Sequence, residues 1–200
     1  MAIKVANNNS LSAITSLPAA VSGGAMTLLE TQTASSSSTI SFTSGIDSTY
    51  DEYVFRFINM QSASTDVAFQ VNFRDGSTAY DATKTTTFFY AQHQEDASST
   101  ALSYLASRDE AQSTDAQHLT TNVGRTGSDS ASGYLQLFNP SSTTFVKHFM
   151  ARLSNHDTNG SEVDTFVAGY CNVTTAIDGV QFTMSSGDIT AGTIKLYGIS

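Results

Sequence analysis

The chain has 200 residues and a formal net charge of −9, with nine Lys and Arg against 18 Asp and Glu. That length suits one sizeable β-sandwich or barrel burying roughly two-thirds of the surface its unfolded chain exposes. The acidic balance opposes any grip on phosphate backbones, so nucleic acid is not an expected partner, and no apolar run approaches the roughly 20 residues of a membrane-spanning helix. One Cys, Cys171, excludes an internal disulfide, and its place in an apolar run suits a small buried side chain.

Residues 1–38 differ in texture from the rest. Asn7-Asn8-Asn9-Ser10 opens a polar, nearly uncharged stretch in which Ile3, Val5, Leu11, Ile14, Leu17 and Val21 are widely spaced apolar residues, and Gly23-Gly24 closes it. Ser12, Thr15, Ser16 and Pro18 interrupt the only part that resembles a secretory leader. The segment is too poor in apolar groups to fold alone. It reads either as an arm ordered on another surface, docking through those six apolar residues, or as a disordered leader. Ala25 to Thr33 offers a first strand, and Ala34 to Ser38 a flexible turn.

From Thr39 onward short segments alternate apolar and polar residues. In Val67 to Phe73, Val67, Phe69, Val71 and Phe73 point one way while Ala68, Gln70 and Asn72 point the other, a core face and a wet face. Further strands are expected near 39–42, 50–60, 86–91, 134–139, 144–153, 165–173, 180–184 and 193–199. Asp75-Gly76 predicts a tight reversal, Asn139-Pro140 ends its strand with Asn139 biased to an extended conformation, and the last two strands read as a C-terminal hairpin. Residues 98–117 permit either one or two helical turns or a strand pair. The expected fold is all-β: an antiparallel β-sandwich, jelly-roll-like, over 39–200, preceded by the extended N-terminal arm and linker of 1–38.

Catalytic signatures are absent. His93, His118, His148 and His156 stand without partners at recognisable spacing, there is no G-x-S-x-G elbow, and neither Asp51-Glu52 nor Asp109-Glu110 can face itself across a cleft from one strand. The best cation candidate, Asn155, Asp157 and Asn159 before Gly160, has Phe166 where a calcium loop needs its closing Glu. No catalytic residue, metal or cofactor is therefore expected. Phe88-Phe89-Tyr90 places aromatic rings on both faces of a strand, for contact with a glycan or a neighbouring subunit, or for packing on both sides.

Three stretches carry a resemblance. Phe42 to Tyr53 (FTSGIDSTYDEY), Asn139 to Phe149 (NPSSTTFVKHF) and Gly192 to Ile199 (GTIKLYGI) resemble a family of small structural proteins of tailed bacteriophages, common in marine phages. The resemblance implies a non-enzymatic component of the virion surface, a capsid decoration or cement protein or a head-fibre protein. Its partners would be capsid or tail proteins and further copies of itself, without membrane insertion. The alternative is a tail-fibre module that binds a receptor or a host-surface glycan.

Overall fold

A computed structural model describes residues 25–124 and 127–200. Thirteen strands are present among them: β1 (Met26–Thr33), β2 (Ile40–Phe42), β3 (Glu52–Ser62), β4 (Phe69–Arg74), β5 (Lys84–Gln94), β6 (Thr100–Tyr104), β7 (Ala111–Ser113), β8 (Gln117–His118), β9 (Ala131–Phe138), β10 (Lys147–His156), β11 (Ser161–Cys171), β12 (Gly179–Met184) and β13 (Ile189–Ile199). The larger sheet has the order β1-β13-β3-β9-β10-β11-β5-β6, with β7 also on β5, and the smaller has the order β2-β12-β4-β8. Every pairing is antiparallel. The first strand therefore pairs with the last, and the second with the penultimate in the opposite sheet.

Alternation places the core between the sheets. Phe69, Val71 and Phe73 of β4 and Val180, Phe182 and Met184 of β12 face Tyr53, Phe55, Phe57, Leu135, Leu137 and Leu196 of the larger sheet, all buried. The centre is aromatic. Phe182 has Phe42, Phe55, Phe57 and Phe69 around it, at ring-centroid distances of 6.2, 5.3, 5.1 and 5.7 Å. Edge-to-face contacts dominate, as the ring quadrupole favours.

Several expectations need correction. The pairing of β1 with β13 puts residues 26–33 inside the sandwich, so the boundary expected near 38/39 lies within the folded body. The Ala34 to Ser38 turn is pinned rather than flexible: Ala34 is buried, and Ser37 and Ile189 exchange both backbone hydrogen bonds at 2.9 Å. The last two strands are not a hairpin. β12 lies in the smaller sheet and β13 between β1 and β3 in the larger, because both inner faces must meet the same core. Ala191 and Gly192, where a hairpin loop would end, instead lie within β13, at two shifts in its register with β3. Residues 98–117 contain both readings, the strands β6 and β7 and one 3-10 turn at Ala106–Arg108.

Two turns show how local chemistry sets the chain path. Gly76 takes the positive φ, +89°, that the Asp75-Gly76 reversal requires. Asn139 ends β9 as expected but at φ 44° rather than extended, which Asn tolerates, and its carbonyl accepts from Ser142 N across the Pro140 turn at 3.1 Å.

Candidate functional site

The two outer faces of the sandwich differ in chemistry. Ser41, Gln70, Asn72, Gln181 and Thr183 cover the smaller sheet, the ordinary wet face of an antiparallel sheet. The larger sheet exposes Met26, Leu28, Ile58, Phe89, Leu102, Tyr104 and Met150; of the large apolar residues exposed among the described ones, only Phe145 lies elsewhere. Among the described residues no other element covers this face, which makes it the candidate functional surface.

Register aligns one row of side chains straight across it. From the β6 edge to the β1 edge the residues opposite one another are Tyr104, Phe89, Phe166, Arg152, Tyr134, Arg56, Lys195 and Thr31. The Phe89 and Phe166 rings stack at 4.8 Å and 2°, the separation of neighbouring strands. The Arg152 guanidinium covers the other face of Phe166 at 4.8 Å, and Arg56 lies 5.2 Å from the Tyr134 ring. Because the rings stand upright against each other, Phe166 has both faces occupied. Phe89 keeps the face turned toward Tyr104.

The cations of this row are unusual in an acidic chain. Among the described basic residues, Lys84 and Lys147 are buried, Arg74 pairs with Asp178 at 2.8 Å, Arg108 meets His118, and Arg152 binds Asp164 through two nitrogens. Arg56 and Lys195, adjacent in register, have no acidic partner among the described residues. Beside the row lies a shallow depression of about 430 Å³ bordered by Thr87, His148, Met150, Ala168 and Tyr170.

The predicted contact residues divide. Phe89 points outward as required. Phe88 does not: it is fully buried, since its strand alternates and its neighbour Phe89 takes the open side. Tyr90 also points inward and packs half-buried against the core. Ile3, Val5, Leu11, Ile14, Leu17 and Val21 lie outside the described residues.

Polar clusters elsewhere hold loops. Lys147, Cys171 and Lys84 are neighbours across three strands. Lys147 Nζ donates to the carbonyls of Val173 and Thr175 at 2.9 and 2.5 Å, and Lys84 Nζ to that of Asp115 at 2.6 Å. Burial lowers both lysines and pushes the Cys171 thiol up to about 12, against the pull of the two ammonium groups. Such a thiol is inert at neutral pH. In the β10–β11 turn, Asp157 Oδ1 accepts from the backbone of Asn159 and Ser161, both at 2.9 Å, so the carboxylate of the calcium-like motif closes its own turn.

His156 sits between two acids. Its Nδ1 is 2.7 Å from Asp129 Oδ1 and its Nε2 is 3.3 Å from Glu95 Oε1, so a carboxylate occupies the side where a hydrolytic triad holds its nucleophile. Burial lowers the imidazole pKa, but the hydrogen bond and charge of Asp129, aided by Glu95, raise it overall. A raised folded pKa makes the clamp fully stabilising below about 6.5 and weakens it as pH rises through the folded value. Urea unfolding should therefore separate the protein from His156→Gln more at pH 5.5 than at pH 8.5. The difference should be no more than about 1 kcal/mol, since the ring is one-third exposed and water screens it. An equal gap at both pH values would discard the clamp.

Comparison with protein-family models, curated proteins and solved structures finds no match. Function must therefore be argued from this chain.

Proposed function

We propose that this chain is a non-enzymatic structural protein of a tailed-bacteriophage virion, a capsid decoration or cement protein or a head-fibre protein on the virion surface, docked through residues 1–24. The observation that carries the reading is strand order. Taking β1-β13-β3-β9 and β2-β12-β4-β8 as the two sheets supports a jelly-roll reading, with β5 to β7 and β10 to β11 as insertions that widen one sheet. Jelly rolls build viral capsid domains and also lectins, an argument by analogy that gains direction from the resemblance of three stretches to phage structural proteins.

Those stretches form scaffold. Residues 42–53 run from β2 into β3 and are fixed by Tyr53, whose buried hydroxyl accepts from Asp47 N at 3.0 Å and donates to Asp47 O at 2.9 Å. Residues 139–149 make the β9–β10 connection, and residues 192–199 form most of β13. The glycan-binding alternative would use Phe88, Phe89 and Tyr90 together with the loop 155–164. It gains nothing from a buried Phe88 or from an Asp157 carboxylate engaged by its own backbone.

Mass spectrometry of purified particles provides the test. The chain should be present in fixed stoichiometry, and a version lacking residues 1–24 should be absent from particles while keeping the urea midpoint of the full chain. Particles without the full chain, or normal incorporation of the shortened one, would reject the reading.

A further inference from the structure

We propose that two copies of this chain pair face to face through the outer surface of the larger sheet, about a two-fold axis running along the strands between β9 and β10. The order of side chains in the cross-strand row points to this pairing, independently of the virion reading.

The row is polarised. Its β6 half is aromatic (Tyr104, Phe89, Phe166) and its β1 half is cationic (Arg56, Lys195), with Arg152 and Tyr134 at the middle. Two sheets meeting face to face can be related by a two-fold axis lying in the plane between them, either across the strands or along them. An axis across the strands keeps each strand over its own copy and, laid along this row, sets Arg56 on Arg56 and Lys195 on Lys195, which repels. An axis along the strands reverses the row. Phe89 then meets Lys195 of the second copy, Phe166 meets Arg56, and Arg152 meets Tyr134, each twice. Lys195, which lacks an acidic partner among the described residues, thereby gains an aromatic one in Phe89, whose stacking partner is Phe166 alone, while Arg56 stays over the Tyr134 ring of its own chain.

Size follows the same reversal. The next row outward reads Thr87, Ala168, Met150, Gln136, Val54, Tyr197 and Leu28 from β5 to β1. Reversed, it sets Tyr197 against Thr87, a large residue over a small one, while Val54 is already buried within its own sheet. The depression of about 430 Å³ beside Thr87 and Ala168 lies where Tyr197 of the second copy arrives. Eight strands at about 4.8 Å and four rows at about 6.8 Å give roughly 1,000 Å² per copy, within the range of a standard specific interface.

Phe89 and Lys195 lie five strand spacings apart within one chain, about 24 Å, so no direct contact links them except across the axis. Sedimentation velocity of the full chain over a wide concentration range should show a dimer. Phe89→Lys sets a cation against Lys195 and Lys195→Glu removes one; each should raise the dimer dissociation constant at least about tenfold. The combined variant makes a Lys–Glu pair across the axis and should return to within about threefold of the parent. Both side chains face outward, so all three variants should keep the parent urea midpoint of the monomer. A chain that is monomeric throughout overturns the dimer and leaves the particle test untouched. So does a dimer indifferent to both single changes, as one held by residues 1–24 would be, or a combined variant no better than the singles.

Discussion

Phe182→Ala should destabilise the fold by about 3–5 kcal/mol, because it opens a cavity where both sheets converge on one ring. Phe182 belongs to β12, yet two of its four aromatic neighbours, Phe55 and Phe57, come from β3 of the opposite sheet, and Phe42 and Phe69 come from the strands flanking β12. The remaining rings are themselves in contact, Phe42 with Phe55 at 5.2 Å and Phe57 with Phe69 at 5.2 Å, so they resist collapsing into the void. The predicted loss combines the transfer cost of the missing ring with that unfilled space. Phe182→Leu keeps most of the volume and should cost less than about 1.5–2 kcal/mol. Urea unfolding measures both: the midpoint should fall with the slope unchanged. An Ala variant within 1 kcal/mol of the parent, on the scale of a surface change, would mean that the sheets do not close on this residue.

What could be read from the chain follows from which forces are local. Alternation in residues 67–73 and 180–184 reveals an inner and an outer face because the side-chain period of a strand is fixed by geometry alone. Partner choice is not local. Nothing between Met184 and Ile189 says that the chain crosses from one sheet to the other, since a short polar turn serves a hairpin and a crossing equally. The outer row was hidden for the same reason. Arg56, Tyr134, Arg152, Phe166 and Lys195 each occupy an outward position of an expected strand, but only register shows that they stand side by side. Phe89 was found because aromatic clustering is visible within one strand. β6 and β7 stay open between helix and strand in the sequence, and β8 is not visible there, because these strands are short and carry few apolar residues, being held by polar contacts such as Thr86 Oγ1 with Gln117 Oε1 at 2.5 Å and Glu110 N with Thr86 Oγ1 at 2.8 Å.

That polar insert should make the fold acid-sensitive through His118. Burial, with the adjacent Arg108 cation adding to it, lowers the imidazole pKa to about 4. Arg108 Nη1 lies 2.8 Å from His118 Nδ1, where it donates to a neutral ring, and a protonated ring cannot accept it. Gln117 ties the same region down, donating from Nε2 to the carbonyls of Arg108 and His118 at 3.1 and 2.7 Å. The folded pKa lies below the unfolded value of about 6.5, so the unfolded chain binds the proton first. The contribution is complete above pH 6.5 and declines as pH falls toward 4. Between pH 7 and pH 4.5 the parent should lose more than His118→Gln, which accepts from Arg108 without titrating, by about 1–2 kcal/mol once water screening of the partly buried ring is allowed for. Any carboxylate that titrates in this range affects both proteins alike and cancels in the difference. The His118 ring proton resonance should titrate with a midpoint near 4. A midpoint near the ordinary histidine value, with parallel acid profiles for the two proteins, would show that the 105–120 segment opens readily to water and that Arg108 is no fixed neighbour of the ring.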